Sequence, residues 1–144
     1  MTADIKQEFG APLVEIDHLT VQFKVGEAVN TVVSDVSMTI RRGETLALVG
    51  ESGSGKTVTA MSILKLLPSP PALWPSGEIR FDGQNMLTIS DSVLREMRGN
   101  RIGVIFQEPM MSLNPLHTVG KQIAEVLQIH KGLSRKLAEP LLLK

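Results

Sequence analysis

Apolar residues at Val14, Ile16, Leu19, Val21 and Phe23 recur at nearly every second position, the period of a strand with one buried face. Val36, Met38 and Ile40 alternate with Ser37 and Thr39 and predict a second strand, with Gly26-Glu27 as the turn between the two. "TLALVG", after Arg42-Gly43-Glu44, is a short continuous apolar run, as expected of a strand covered on both faces. From Lys56 the period lengthens: Ala60, Met61, Ile63, Leu64 and Leu67 form a helical stripe, stopped by "PSPP" at 68 to 71. "GEIRFDG" (77 to 83) reads as a further strand closed by Asp82-Gly83. Ser90-Asp91-Ser92 opens a short helix with Val93, Leu94 and Met97 on one face and Gly99 as its stop. "RIGVIFQ" (101 to 107) is a second strand of the doubly covered kind, and the irregular "EPMMSLNP" follows it. Helical patterns run from Val119 to Lys131 and from Ser134 onward, the latter interrupted by Pro140.

Composition narrows this picture only modestly. The chain has 144 residues, enough for about one domain, with no internal repeat or low-complexity tail. Its 15 basic and 15 acidic side chains balance and form no dense Lys/Arg run, which argues against a nucleic-acid partner bound by phosphate neutralisation. Acids among the first residues and the lack of an uninterrupted apolar core speak against a secretory signal or an anchor at the N-terminus. The apolar runs fall short of a membrane span. The absence of cysteine excludes disulfides and thiolate metal sites and fits a reducing cytoplasm.

The chemistry lies in "LVGESGSGKTVTA" (48 to 60), where Gly50, Gly55, Lys56 and Thr57 satisfy G-x-x-x-x-G-K-[ST], with Gly53 as an additional glycine. Glycines let the backbone turn so that successive N–H groups point at a phosphate. Lys56 can bridge β and γ phosphates, and Thr57 can offer its hydroxyl to Mg²⁺. The helix that follows adds its positive end. Random matching would produce the pattern in roughly one chain in two hundred of this length, before a strand ahead and a helix behind are required. A small GTPase would need N-K-x-D and D-x-x-G, neither of which occurs here. A small-molecule kinase would need an arginine-bearing lid, for which only Arg95, Arg98 and Arg101 are available.

"IGVIFQEPMMSLNP" separates the remaining classes. An apolar strand ending in Gln107 and running into a Pro-containing loop resembles the Q-loop of ATP-binding-cassette (ABC) transporter ATPases, and "SGEIRFDG" matches that family's G-x-I-x-F-x-G strand. "GESGSGKT" with "FQEPMMSLNPLHTVGKQIAEVL" is similar to the peptide and nickel importers, of the oligopeptide and microcin C type. The resemblance implies an α/β fold, a P-loop NTPase of the ABC ATPase type, with an antiparallel β-subdomain and an incomplete parallel-sheet core with helices. Its parts would be β-subdomain strands at about 12–40 and 76–83, the P-loop and helix at about 44–67, the Q-loop strand and loop at about 101–115, and the start of a helical subdomain at about 118–144. It also implies ATP and Mg²⁺ as ligands: Gly50, Glu51, Ser52, Gly53, Ser54, Gly55, Lys56, Thr57 and Val58 around the phosphates, and Thr57 with Gln107 in the metal and water shell. The partners it implies are ABC permease subunits docking at the Q-loop region, a second nucleotide-binding domain and, indirectly, a solute-binding protein. The location would be the cytoplasmic face of a bacterial inner membrane.

Other residues leave two readings open. The family stacks adenine on an aromatic ring; with no tyrosine in the chain, Phe23 is the best-placed ring, or else an ordinary core residue at a strand end. Met110 and Met111 suit either a re-packing interface or a core contact. Gln107 is either the Q-loop residue or a solvated residue after a strand. Trp74, between Pro71 and Pro75, is expected in a loop packing over the helix end, and Arg41 and Arg42 are expected in solvent. His18, His117 and His130 show no metal-ligand spacing. The family's L-S-G-G-Q signature, its Asp-Glu pair after a strand and its switch histidine do not occur in these 144 residues. The expectation is therefore a nucleotide-holding, N-terminal portion of the family's domain that lacks the hydrolytic base. Its two doubly covered strands would be short of ladder partners.

Overall fold

The computed structural model describes residues 10–107 and 113–132. Met110, Met111 and the helix expected from Ser134 lie outside the described residues. Two compact units divide the chain, with the boundary between Ile89 and Ser90.

The first unit is built on an antiparallel hairpin of β1 (Pro12–Val25) and β2 (Ala28–Arg41). Their two-residue loop is Gly26-Glu27, and Gly26 takes a φ of +61° that glycine reaches without a Cβ penalty. β3 (Ala72–Phe81) pairs antiparallel with the other edge of β1, and the two-residue β4 (Gln84–Asn85) follows it, giving the order β2-β1-β3-β4. Between β3 and β4, Asp82 (φ +51°) and Gly83 (φ +79°) both adopt positive φ, as a type I′ hairpin turn requires. β1 carries much of the core: Val14, Ile16, Leu19 and Val21 are buried with Val33, Ala72, Ile79, Phe81 and Met86.

The spacing of those β1 residues changes parity between Ile16 and Leu19, and a strict strand would turn the later pair to solvent. A bulge resolves this. The β1–β2 register shifts between Ile16 and Leu19, and His18 sits at φ +48°. On the neighbouring strands Asp35 (φ +53°) and Gly77 (φ +89°) are also in the left-handed region. His18 Nδ1 meets Asp35 Oδ1 at 2.6 Å, the His18 N–H donates to Ser37 Oγ at 2.9 Å, and the Asp35 N–H donates to Thr20 Oγ1 at 3.3 Å. His and Asp are among the few L-residues that tolerate positive φ. At Gly77 only glycine fits, because a Cβ there would lie 2.5 Å from both His18 O and Leu19 Cα.

Several expectations from the periodicity change in the folded chain. β2 begins at Ala28, well before Val36, because the tight turn brings Val29, Asn30 and Thr31 into register with Lys24, Phe23 and Gln22 regardless of their polarity. β3 begins at Ala72 and includes Pro75, which is tolerated because β4 pairs only with Arg80 and Phe81 and leaves the rest of that edge open. Trp74 is thus a strand residue. Arg42 is not simply solvated: its Nη2 donates to Asp82 Oδ1 at 2.6 Å, across the sheet end. The helix expected to reach Leu67 is α1 (Lys56–Ile63), eight residues long and closed at Leu64.

The two apolar runs expected as doubly covered strands form no strand among the described residues. Leu46, Leu48 and Val49 are 41%, 42% and 92% exposed, and Val104, Ile105 and Phe106 are 44%, 96% and 41% exposed. A β-strand is made by its ladder, and without a partner an apolar run stays extended and open. The nearest approach is a single parallel bridge between Arg98 and Ile102.

The second unit contains α2 (Asp91–Met97), with Leu94 and Met97 buried, and α3 (Val119–Lys131). Thr118 Oγ1 caps α3 by accepting from the Lys121 N–H at 3.3 Å, and Gly132 (φ +63°) ends it. Gln122 clamps the preceding loop: its Oε1 accepts from the Asn114 N–H at 2.9 Å, and its Nε2 donates to the Asn114 and His117 carbonyls at 3.0 Å. No helix among the described residues is long and apolar enough to cross a membrane.

Two outcomes follow from the bulge. Gly77→Ala places a side chain into backbone at an unfavourable φ, and equilibrium unfolding should show a loss of at least about 1–3 kcal/mol. The hydrogen bond to Asp35, then the charges of Asp35 and Asp17, raise the pKa of His18 above its ordinary 6.5. That contribution to stability is complete below the unfolded-state pKa and disappears as pH rises through the higher folded-state value. Melts across pH 5–9 should therefore show a decline that His18→Gln removes and that added salt weakens.

Candidate nucleotide-phosphate site

The segment from Gly50 to Val58 folds into a loop that closes onto the first turn of α1. Gly53 (φ +82°) and Gly55 (φ +84°) take the left-handed conformations that reverse the chain. Gly50 runs so close to Ser54 that a Cβ there would lie 2.9 Å from Ser54 Oγ. The loop winds around the ammonium of Lys56, whose Nζ donates to Gly50 O at 2.8 Å, Glu51 O at 2.6 Å and Ser54 Oγ at 3.1 Å. All three ammonium donors are thus used to hold the loop in shape.

Gly55 is the N-cap of α1, where no side chain caps the helix and the first turn carries no acidic residue. Uncapped N–H groups, the positive end of a helix and an adjacent ammonium form a donor set suited to an anion. Gly55 is buried and rests on β2: a Cβ there would lie 2.8 Å from Val32 O and 3.0 Å from Val33 Cγ2. Thr57 is exposed and Val58 half-buried. The chain from 33 to 141 matches the ABC transporter family.

The chain belongs to the ABC transporter family.

It is 60% identical over 126 residues to the ABC transporter ATP-binding protein YejF of Escherichia coli (strain K12), covering 88% of this chain and 24% of YejF. It is 45% identical over 127 residues to the oligopeptide transport ATP-binding protein OppD of Bacillus subtilis (strain 168), covering 88% of this chain and 36% of OppD. The chain thus spans about a quarter of the length of YejF and just over a third of that of OppD. The solved ATP-binding cassette MJ0796, in a dimeric post-hydrolysis state bound to ADP and Pi, superposes with a TM-score of 0.72 at 27% identity. That match covers 88% of this chain and 54% of the cassette. The ABC ATPase fold class expected from the motifs holds, and so does the likeness to the peptide-type proteins.

The expected ABC residues fall in both units. Gly50, Glu51, Ser52, Gly53, Ser54, Gly55, Lys56, Thr57 and Val58 share one loop and helix start in the first. Phe23 is in the same unit, two residues before the end of β1, half-buried, with Asn30 and Ala72 as its neighbours in register. Gln107 belongs to the second unit and is exposed in a bend after the open run. Among the described residues no group of three or more carboxylates and histidines is arranged to hold a metal ion.

Sequence reasoning missed the supports of the loop. Thr59 Oγ1 donates to Gly55 O at 3.0 Å, and the Val32 carbonyl with the Val33 side chain forms the seat beneath Gly55. Two hydroxyl residues three apart on the α1 face opposite the apolar stripe, Thr59 and Ser62, were the available signal. Gly55→Ala should lift the loop off β2. Hydrogen exchange of amides 50–58 should accelerate well beyond that of β1, with a stability loss of about 1–3 kcal/mol in the same protein.

Proposed function

We propose that this chain supplies the nucleotide-binding part of the ATP-binding subunit of an ABC importer for peptides. The observation that carries the reading is the Lys56 ammonium, gathered by the Gly50–Gly55 loop in front of the uncapped N-terminus of α1. Lys56 would exchange bonds to Gly50 O, Glu51 O and Ser54 Oγ for bonds to the β and γ phosphates, with the amides of Gly50 to Val58 around them. Mg²⁺, which neutralises phosphate charge when bound, would be held by the Thr57 hydroxyl along with phosphate oxygens, since this ion commonly takes few protein ligands. Phe23 would offer a ring to the adenine.

In the working transporter, two such domains would close around ATP and reopen on hydrolysis. The movement would pass to permease subunits at the Q-loop region, on the cytoplasmic face of a bacterial inner membrane. A solute-binding protein would deliver the peptide. Support for the peptide class comes from relatives named for oligopeptide and peptide transport, OppD of Bacillus subtilis among them.

Titration of the chain with a fluorescent ATP analogue and Mg²⁺ tests the binding role. Lys56→Ala should weaken binding by about 10- to 100-fold, the value of a charge-assisted hydrogen bond. Equal binding by Lys56→Ala would remove the assignment of Lys56. Phosphate released in the same tubes separates a hydrolysing chain from one that only holds nucleotide.

A further inference from the structure

Of the apolar stripe on α1 only Leu64, at its C-cap, is buried, at 3% exposure. Ala60 is exposed, and Met61 and Ile63 are only half-buried. The buried residues of the helix are instead Thr59 and Ser62, at 4% and 0% exposure. A buried hydroxyl without a partner is costly, so the use of these two groups matters. Thr59 Oγ1 turns back to Gly55 O within the helix start. Ser62 Oγ donates to Val58 O at 2.8 Å and accepts from Trp74 Nε1 of β3 at 3.1 Å. The first bond is internal to the helix, whereas the second ties the helix to the sheet.

α1 is therefore attached to the sheet at its two ends. Gly55 sits on β2 at the N-terminal end, by a backbone contact that leaves no room for a Cβ. The Ser62–Trp74 bond holds the C-terminal end, six residues beyond Lys56 and about 9 Å along the axis. An apolar contact tolerates sliding, but a hydrogen bond weakens steeply with angle and so resists rotation of the helix. The chain's single tryptophan supplies that donor.

We propose that Trp74 and Ser62 are positioning residues for the phosphate loop: the indole N–H sets the axis of α1, and with it the direction of Lys56 and the first-turn N–H groups. The inference rests on the nucleotide-binding reading above and deepens it. Neither residue touches nucleotide. Their effect passes through the helix.

The test compares the full chain with Trp74→Phe, which keeps an aromatic ring but removes the donor, with Ser62→Ala, and with the double variant. Three quantities are measured: Mg-ATP affinity, hydrogen exchange of 50–63, and the melting midpoint. Each single variant should weaken Mg-ATP binding by about 3- to 10-fold, the range of one hydrogen bond. The double variant should lose no more than either single one. Exchange should accelerate in 56–63 while the amides of β1 and β3 keep their wild-type rates. Unchanged affinity and exchange in both single variants would overturn the proposal. So would additive losses, or faster exchange spread across the whole sheet with a lowered melting midpoint, which is what a merely structural role produces. If the wild-type chain does not bind Mg-ATP, the nucleotide reading falls by itself. The exchange data then decide the tie: acceleration confined to 56–63 sustains it, and none removes it.

Discussion

The site depends on a backbone contact that only glycine permits. Gly55 presses against the Val32 carbonyl, with 2.8 Å left for a Cβ that is not there, and that contact seats the glycine-rich loop on β2. Everything proposed for Lys56 and Thr57 follows from where α1 begins. A loop that wraps a charged ligand must have a fixed floor, because donors that move lose most of the electrostatic advantage of being preorganised. Here the floor is the hairpin, and the hairpin is aligned by a fault in its own alternation. The bulge at His18 keeps Leu19 and Val21 on the face set by Val14 and Ile16, so the sheet buries one continuous surface instead of two half-surfaces.

Polar groups do more of the fastening than the apolar stripe suggested. α1 is held by hydroxyls and an indole, the end of the sheet by the Arg42–Asp82 pair, and the loop before α3 by the three hydrogen bonds of Gln122. Directional bonds suit elements whose angle matters more than their burial. The outward apolar residues of α3, such as Ile123, Val126 and Ile129, show the other side of this arrangement: they are 48%, 50% and 69% exposed. On that helix only Ala124 is buried, and the caps at Thr118 and Gly132 define its ends.

The family membership and the local geometry support each other at different scales. The match from 33 to 141 and the superposition on the MJ0796 cassette speak for the fold. The Lys56 hydrogen bonds and the uncapped helix start speak for the chemistry, and a resemblance alone cannot supply them. The runs 45–50 and 102–107 mark the limit of local reasoning. Their apolar sequence is that of buried strands, yet a ladder needs a neighbour, and none is present among the described residues.

The sequence by itself determined those features whose cause lies within a few residues. The glycine-rich loop ahead of α1 is spelled by Gly50, Gly53, Gly55 and Lys56, the hairpin turns by Gly26-Glu27 and Asp82-Gly83, and α3 by its period and its closing glycine. Only the tertiary structure decided what depends on distant partners. Arg42 looked solvated because Asp82 is 40 residues away, and Trp74 looked like a loop residue because the partners of its strand, Gln22 and Phe23 of β1, lie far back in the chain. Burial of Thr59 and Ser62 beside Leu64, while the rest of the apolar stripe is exposed or half-buried, is of the same kind. Periodicity says which residues share a face of a helix, but the shape and donors of the surface opposite select the face that is buried.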